Sequence, residues 1–140
     1  MTSYDKLKPH ELAEALELIL AVPGGSRPAA RPLVTAFCDY LQAGNLRWEG
    51  WRCGLPTNPT ALFLAVLLPG HTVLLFIPQP GEHGINPAAQ LDLSRAALAD
   101  LAKLNLHYGQ ALLEPEALAR RELLRQAGFE LLAPLLYLER

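Results

Sequence analysis

The first part of the chain carries two stripes of apolar residues at helical spacing. One stripe begins after Pro9 and ends at the Pro-Gly-Gly turn of residues 23–25, and the other begins after Pro32 and ends at Gly44 and Asn45. Apolar residues that recur every three or four positions between such start and stop signals predict two amphipathic helices. A short strand is expected ahead of them, near Tyr4. The stripes consist of Leu12, Ala15, Leu16, Ile19 and Leu20, and of Leu33, Val34, Phe37, Cys38 and Leu41.

The middle of the chain is a continuous apolar run from Ala61 to Pro78. It is nearly as long as a membrane-spanning helix, which needs about 20 apolar residues. Pro69 and Gly70 interrupt the run at its midpoint, and Pro-Gly is a turn signal, so the pattern favours a β-hairpin over a membrane helix. Because neither arm alternates apolar with polar residues, the hairpin should belong to a sheet that is covered on both faces.

A short strand is predicted just before this hairpin. Arg47 to Cys53 reads RWEGWRC, and strand geometry places Trp48 and Trp51 on opposite faces. A loop is expected over Gly54–Pro59, and a longer, turn-rich loop follows the hairpin at Pro78–Pro87.

The second half repeats a helix and strand rhythm. Ser94 is the predicted N-cap of a helix that ends near Asn105, and Leu106–Leu113 reads as a strand. Since a strand, a helix and a strand in that order form a right-handed parallel crossover, Leu106–Leu113 should run parallel to the second arm of the hairpin. A further helix is expected from Pro115 to Gly128, with Phe129 packing back on Leu124, and a last strand over Leu131–Leu138.

These elements predict a single α+β domain over residues 1–140. Its mixed sheet is mainly antiparallel with one parallel strand pair, and about four helices flank it. The net charge of −2 and the lack of a basic cluster exclude nucleic acid as an expected partner. Cys38 and Cys53 lack the spacing of a metal site, so no metal is expected, and the thiols should be reduced. The N-terminus lacks the apolar segment of a signal peptide, which favours a cytoplasmic location.

The segment from Glu114 to Phe129, EPEALARRELLRQAGF, is followed by the apolar strand ELLAPLLYL. This helix, its Ala-Gly-Phe turn and the strand after it resemble the C-terminal part of GNAT acyltransferases. The ending is also similar to the degenerate GNAT-like halves of some bacterial tandem proteins. The order of elements resembles the family over nearly the whole chain, whereas the residues do so only in the last third.

The resemblance implies acetyl-CoA as cofactor, bound where the parallel strands part and where the next helix begins. The start of a helix binds anions through its free N–H groups. The corresponding segment here is Pro78–Ser94, and the residues implied for cofactor binding are Ile77, Gln79, Gly81, His83 and Gly84.

This loop departs from the family pattern, in which a Gln or Arg is followed by Gly at the third position and by Gly or Ala at the fifth. Counted from Gln79, the third position is Glu82 and the fifth is Gly84. Pro80 and Pro87 have no N–H to donate, and Glu82, like Asp92, adds negative charge where a diphosphate should bind.

The catalytic end departs from the family as well, because the last helix lacks the tyrosine that many members use as a general acid. Glu114 and Tyr108 are the catalytic candidates. Glu114 is placed to act as a base toward an amine, although an acid beside Pro115 also suits a helix start. Tyr108 shares its strand face with Gln110, where both side chains either contact a substrate or simply line a sheet edge.

Two functions fit the sequence. The first is an acyl-CoA-dependent N-acyltransferase with an atypical cofactor loop and a small-molecule amine as acceptor. The second is a catalytically inactive GNAT-like module that serves as a structural, dimerisation or small-ligand-binding domain. The family sheet has one more strand after the equivalent of Leu131–Leu138. Either the domain omits that strand, or a homodimer partner or a second GNAT-like domain of a tandem protein supplies it. Because an uncovered apolar strand is prone to aggregate, we expect association.

Overall fold

The computed structural model describes residues 4–104, 108–110 and 118–127. Within these ranges the chain forms five strands and four α-helices, and short 3-10 turns precede the first two helices. The strands are β1 (Asp5–Lys6), β2 (Arg47–Leu55), β3 (Asn58–Leu68), β4 (Thr72–Phe76) and β5 (Tyr108–Gln110). The helices are α1 (Leu12–Ile19), α2 (Arg31–Ala43), α3 (Pro87–Leu101) and α4 (Leu118–Gln126).

The strands form one sheet in the order of the chain, β1-β2-β3-β4-β5. The pairs β1-β2, β2-β3 and β3-β4 are antiparallel. β5 lies beside β4 and runs parallel to it, with Thr72 opposite Tyr108 and Leu74 opposite Gln110. The helix α3 connects these two strands, and the fold class is α+β, as predicted.

The sheet is buried on both faces, which confirms the inference from the non-alternating hairpin. One apolar cluster, built around Trp51 and Phe63, packs the sheet against α3 and α4. The other lies on the opposite face, where Leu62 and Leu64 meet α1 and α2. Trp48 packs against this second cluster, so the two tryptophans lie on opposite faces of β2 as expected.

The hairpin is also confirmed, with its turn at residues 69–71. Gly70 and His71 both adopt positive φ, at 84° and 61°, and this left-handed backbone favours glycine over most residues. All helices among the described residues are too short or too polar to cross a membrane.

Two predicted boundaries are wrong. Residues 54–59 are mostly strand, because β2 and β3 continue to a two-residue turn at Pro56 and Thr57, with an irregular register at Cys53 and Gly54. A left-handed Gly54, with φ of 83°, lets the strands continue past this bulge.

The start of α3 is the second correction. The N-cap is Asn86, whose side-chain oxygen accepts a hydrogen bond from the backbone N–H of Ala89. Ser94, the predicted cap, lies two turns inside the helix and is fully buried. The first turns of α3 carry no clear apolar stripe, so only the pair Asn86 and Pro87 marks this start in the sequence.

The predicted helix start at Pro115, its end at Gly128 and Phe129, and the last strand over Leu131–Leu138 lie outside the described residues. So do Leu106 and His107 and residues 111–113 of the predicted fifth strand. α4 falls within the helix predicted from Pro115 to Gly128.

Candidate functional site

The candidate site is the loop of residues 77–86, called here the site loop, which connects β4 to α3. It begins where β4 ends and stops at the N-terminus of α3. β5 runs parallel to β4 beside residues 72–74. The helix end of the loop is tied to the sheet, because the N–H of Asn86 donates to the carbonyl oxygen of Thr60 in β3 at 2.8 Å. The turn-rich loop predicted over Pro78–Pro87 is therefore present between the hairpin and α3.

The site loop is folded on itself by backbone hydrogen bonds. The N–H of Gly81 donates to the oxygen of Ile85 at 2.9 Å, and the N–H of Ile85 donates to the oxygen of Glu82 at 3.0 Å. The N–H of Glu82 donates to the oxygen of Gln79 at 3.3 Å. With Asn86, four backbone donors of the loop are thus engaged within the protein.

Three residues of the site loop have a left-handed backbone, Gly81, His83 and Gly84, with φ of 85°, 53° and 82°. A Cβ added at Gly81 would meet no atom within 4 Å, so this glycine borders open space. A Cβ at Gly84 would lie 3.6 Å from the side-chain oxygen of Asn58, which is ordinary contact. Both glycines are therefore required by their backbone conformation and not by crowding.

Two side chains of the site loop contact the turn between α1 and α2. The carboxylate of Glu82 accepts hydrogen bonds from the N–H of Gly24. His83 Nε2 lies 2.9 Å from the carbonyl oxygen of Gly25. Because a carbonyl oxygen only accepts, Nε2 carries the proton, and in the neutral ring the lone pair is on Nδ1.

Gln79 is the feature of the loop that points most directly to a ligand. Its side chain is only 9% exposed, and its Oε1 is a buried oxygen with no hydrogen-bond partner. An unsatisfied buried polar atom costs about 1–3 kcal/mol. Such atoms are rare in proteins and call for an explanation, of which a bound partner is one.

The other predicted site residues lie as follows. Ile77 is buried in the cluster beneath α3, so its side chain belongs to the core. Tyr108 begins β5 and is paired with Thr72 of β4. Glu114 lies outside the described residues. Of the seven predicted site residues, five thus lie on the site loop, with the side chain of Ile77 in the core, whereas Tyr108 lies opposite Thr72, at the other end of β4 from the loop.

One buried charged residue beside this region was not anticipated. Arg120 of α4 is 6% exposed, and its guanidinium donates to the carbonyl oxygens of Ile19 and Ala21, at 3.1 and 2.8 Å. These carbonyls lie at the end of α1, just ahead of the turn that contacts Glu82 and His83. The sequence shows only two adjacent arginines on a charged helix, which gives no signal that one of them is buried.

Two grooves lie elsewhere, around the first residues of β2. One, of about 390 Å³, is lined on one side by Lys6, Leu7 and Pro9 and on the other by residues 46–50. The second, of about 250 Å³, lies beside the last turn of α3 and Trp51. Their acidic groups already have partners, since Glu49 pairs with Lys6 and Arg47, and Asp100 pairs with Lys103. Among the described residues no group of three or more His, Cys, Asp or Glu side chains is placed to hold a metal ion.

Comparisons with known proteins identify the fold. No family model and no curated protein matches the sequence. Among solved structures, the chain is similar to the crystal structure of a predicted acetyltransferase with acetyl-CoA from Clostridium acetobutylicum. The two share 15% identity and a TM-score of 0.59, and the match covers 97% of each chain. At this identity the likeness shows the fold alone, and it confirms the GNAT-type fold that the C-terminal motif implies.

Proposed function

We propose that this protein is a cytoplasmic, acyl-CoA-dependent N-acyltransferase with an atypical cofactor loop. The observation that carries the proposal is the match to a predicted acetyltransferase crystallised with acetyl-CoA, which extends along nearly all of both chains. The site loop supports it, because it joins a strand to the N-terminus of a helix beside a parallel neighbour. This is the position at which open sheets with a strand-helix-strand crossover bind ligands.

The donors and acceptors of the site loop suit the pantetheine arm of an acyl-CoA better than its diphosphate. The buried Oε1 of Gln79 would accept from an amide N–H of the pantetheine arm. Gly81, His83 and Gly84 belong to the same loop. Ile77 would contact the cofactor through its backbone. The diphosphate fits less well, because Pro80 and Pro87 lack N–H groups and Glu82 is negative. We therefore propose that the pantetheine arm makes the main contacts with this loop.

Glu114 and Tyr108 are the proposed catalytic residues. When bound, the cofactor supplies an acyl thioester, and the acceptor is proposed to be a small-molecule amine. An amine that is protonated as an ammonium ion must lose a proton before its lone pair can attack the thioester carbonyl, and Glu114 would take that proton as a general base. Tyr108, at the start of the strand beside β4, would contact the substrate or donate a proton to the departing thiolate.

A second function is favoured by a specific observation. Four backbone N–H groups of the site loop already donate within the protein, and the carboxylate of Glu82 accepts from Gly24. These contacts suit a GNAT-like module that no longer binds CoA and instead acts as a structural, dimerisation or small-ligand-binding domain. Its partner would be a second copy of the chain or a second GNAT-like domain.

Binding of acetyl-CoA separates the two functions. We expect acetyl-CoA to stabilise the purified protein in a thermal unfolding assay, by about 2.7 kcal/mol at 100 times its dissociation constant. Gly84→Val, which strains a left-handed position, should abolish the stabilisation, whereas Cys38→Ala on α2 should retain it. Absence of any shift at millimolar acetyl-CoA would overturn the acyltransferase proposal and favour the inactive module.

A further inference from the structure

Gln90 of α3 is a fully buried amide that contacts the backbone of the central strand β3. The N–H of Leu62 donates to Gln90 Oε1 at 2.9 Å, and Gln90 Nε2 donates to the carbonyl oxygen of Leu62 at 2.6 Å. Both backbone groups of one residue in the sheet are thus satisfied by a helix side chain. A residue in the middle of a strand normally makes these two bonds to the adjacent strand.

The sequence explains why β4 does not make these bonds. β4 pairs with β3 as far as Leu64 and Phe76, and the same register continued would put Pro78 opposite Leu62 and Pro80 opposite Thr60. Prolines have no N–H, so neither can donate to a facing carbonyl. The sheet ladder therefore ends where these prolines begin.

The direction of the backbone groups supports this register. The N–H of Leu7 donates to the oxygen of Gly50, so the backbone of Gly50 faces β1 and points away from β3. Gly50 lies opposite Leu64, which therefore points its own groups toward β4. Leu62 and Thr60, two and four residues earlier, point their backbone groups the same way. These groups would have no hydrogen-bond partner where β4 leaves the sheet.

The first turns of α3 supply the missing partners. Asn86 donates its N–H to Thr60, and the amide of Gln90 satisfies both groups of Leu62. The second hydrogen of Gln90 Nε2 is directed to the hydroxyl oxygen of Ser94 at 3.2 Å. Because Leu62 requires one acceptor and one donor, these three contacts determine which amide atom is nitrogen and which is oxygen.

We propose that Gln90 is a positioning residue that takes the place of a strand residue. By its two bonds to Leu62 it fixes the N-terminus of α3 against the sheet edge and so sets the opening in which the site loop receives its ligand. That the ligand is an acyl-CoA rests on the proposed function, whereas the positioning of the loop does not. Gln79 lies between the two prolines and Gly81 follows them, ahead of the anchored helix, so their placement depends on this anchor.

The first test compares Gln90→Met with a control in the full chain. Methionine keeps the length of the side chain but cannot donate to Leu62. We expect the dissociation constant of acetyl-CoA, measured by calorimetry well below the unfolding temperature, to rise by about tenfold or more. Leu101→Ala removes a buried side chain at the far end of α3, and it should destabilise the fold while leaving the affinity within about twofold. Equal loss of affinity in both variants, or unchanged affinity in Gln90→Met, would overturn the proposal.

The second test needs no ligand. Hydrogen exchange of the engaged amides of Gly81, Ile85 and Asn86 should be faster in Gln90→Met than in the wild type and should stay unchanged in Leu101→Ala. If the wild type does not bind acetyl-CoA, the proposed function fails, and this exchange alone decides the role of Gln90. Where Gln90→Met does not fold, Gln90→Asn replaces it, because an amide shortened by one methylene cannot make both bonds to Leu62, and unchanged exchange in that variant would contradict the proposal.

Discussion

The carboxylate of Glu82 accepts hydrogen bonds from the backbone N–H of Gly24, with oxygens at 2.9 and 3.2 Å. The contact joins the site loop to the turn between α1 and α2, 58 positions away along the chain. It also places a negative charge on the loop that a CoA diphosphate would approach. Glu82 thus holds the loop in its present shape and opposes an anionic ligand at the same time.

Replacing Glu82 by glutamine is expected to strengthen the binding of acetyl-CoA. The amide still accepts from Gly24, while a repulsion of about 1 kcal/mol between like charges near the protein surface is removed. We expect about a fivefold lower dissociation constant at low salt, measured by calorimetry. The gain should shrink as ionic strength rises, because exposed charges are screened.

The matched control is Glu14→Gln, the same change of charge on the exposed side of α1. It should leave the affinity for acetyl-CoA unchanged. A similar gain in both variants would mean that net charge matters and not the position of Glu82. Weaker binding in Glu82→Gln would show that the contact to Gly24 is needed in the ligand-bound state.

Trp51→Phe should lower the free energy of unfolding by about 1–3 kcal/mol. Trp51 is 1% exposed, packs edge-on against Phe63 with ring centroids 5.8 Å apart, and donates its indole N–H to Asp100 at 3.2 Å. Phenylalanine loses the hydrogen bond and leaves a void. Urea unfolding followed by circular dichroism measures the change.

Trp48→Phe is the control for that experiment, since Trp48 is only partly buried on the other face of β2. Its effect should be clearly smaller than that of Trp51→Phe. Equal effects would contradict the assignment of Trp51 to the better-packed core.

Much of the fold follows from local patterns in the sequence. The stripes of α1 and α2 and the Pro-Gly turn of the hairpin depend on neighbours along the chain, and these elements were predicted correctly. The non-alternating apolar runs of β3 and β4 also indicate that helices cover both faces of the sheet, because only then are all their apolar side chains buried. Such signals require no knowledge of distant contacts.

The start of α3 was missed because the Asn86-Pro87 pair is a weak local signal without an apolar stripe after it, and the contacts that confirm it are distant. The helix begins at Pro87, and Gln90 looks like an exposed polar residue until the prolines of the preceding loop are placed opposite Leu62 and Thr60. The same limit applies to Arg120, whose partners are the carbonyls of Ile19 and Ala21 at the end of another helix. Buried polar residues depend on the register of remote segments, which apolar periodicity does not reveal.

The two thiols should differ strongly in reactivity. Cys53 is buried in β2, and burial, with a smaller contribution from the charge of Asp92, raises the pKa of its thiol. Cys38 of α2 is only partly buried. At pH 8 a disulfide reagent should modify Cys38 roughly a hundredfold faster than Cys53. Cys38→Ser should remove the fast phase, and a fast phase that survives this change would contradict the burial of Cys53.

The carboxyl group of Glu122 should titrate far below the usual range. Its hydrogen bonds with Arg125 of the same helix, and then with Gln126, lower its pKa from 4.5 to about 2. Because the folded-state pKa is depressed, the stabilising contribution is complete above pH 4.5 and is lost as the pH falls through about 2.

Carbon-detected NMR titration of the Glu122 side chain measures this pKa directly. Arg125→Gln should move the midpoint up toward 4.5, since Arg125 is the largest cause of the shift. Arg121→Gln changes the charge of the same helix without removing that partner and should leave the midpoint near 2. A wild-type midpoint near 4.5 would show that the pair does not persist in solution, as happens for many exposed ion pairs.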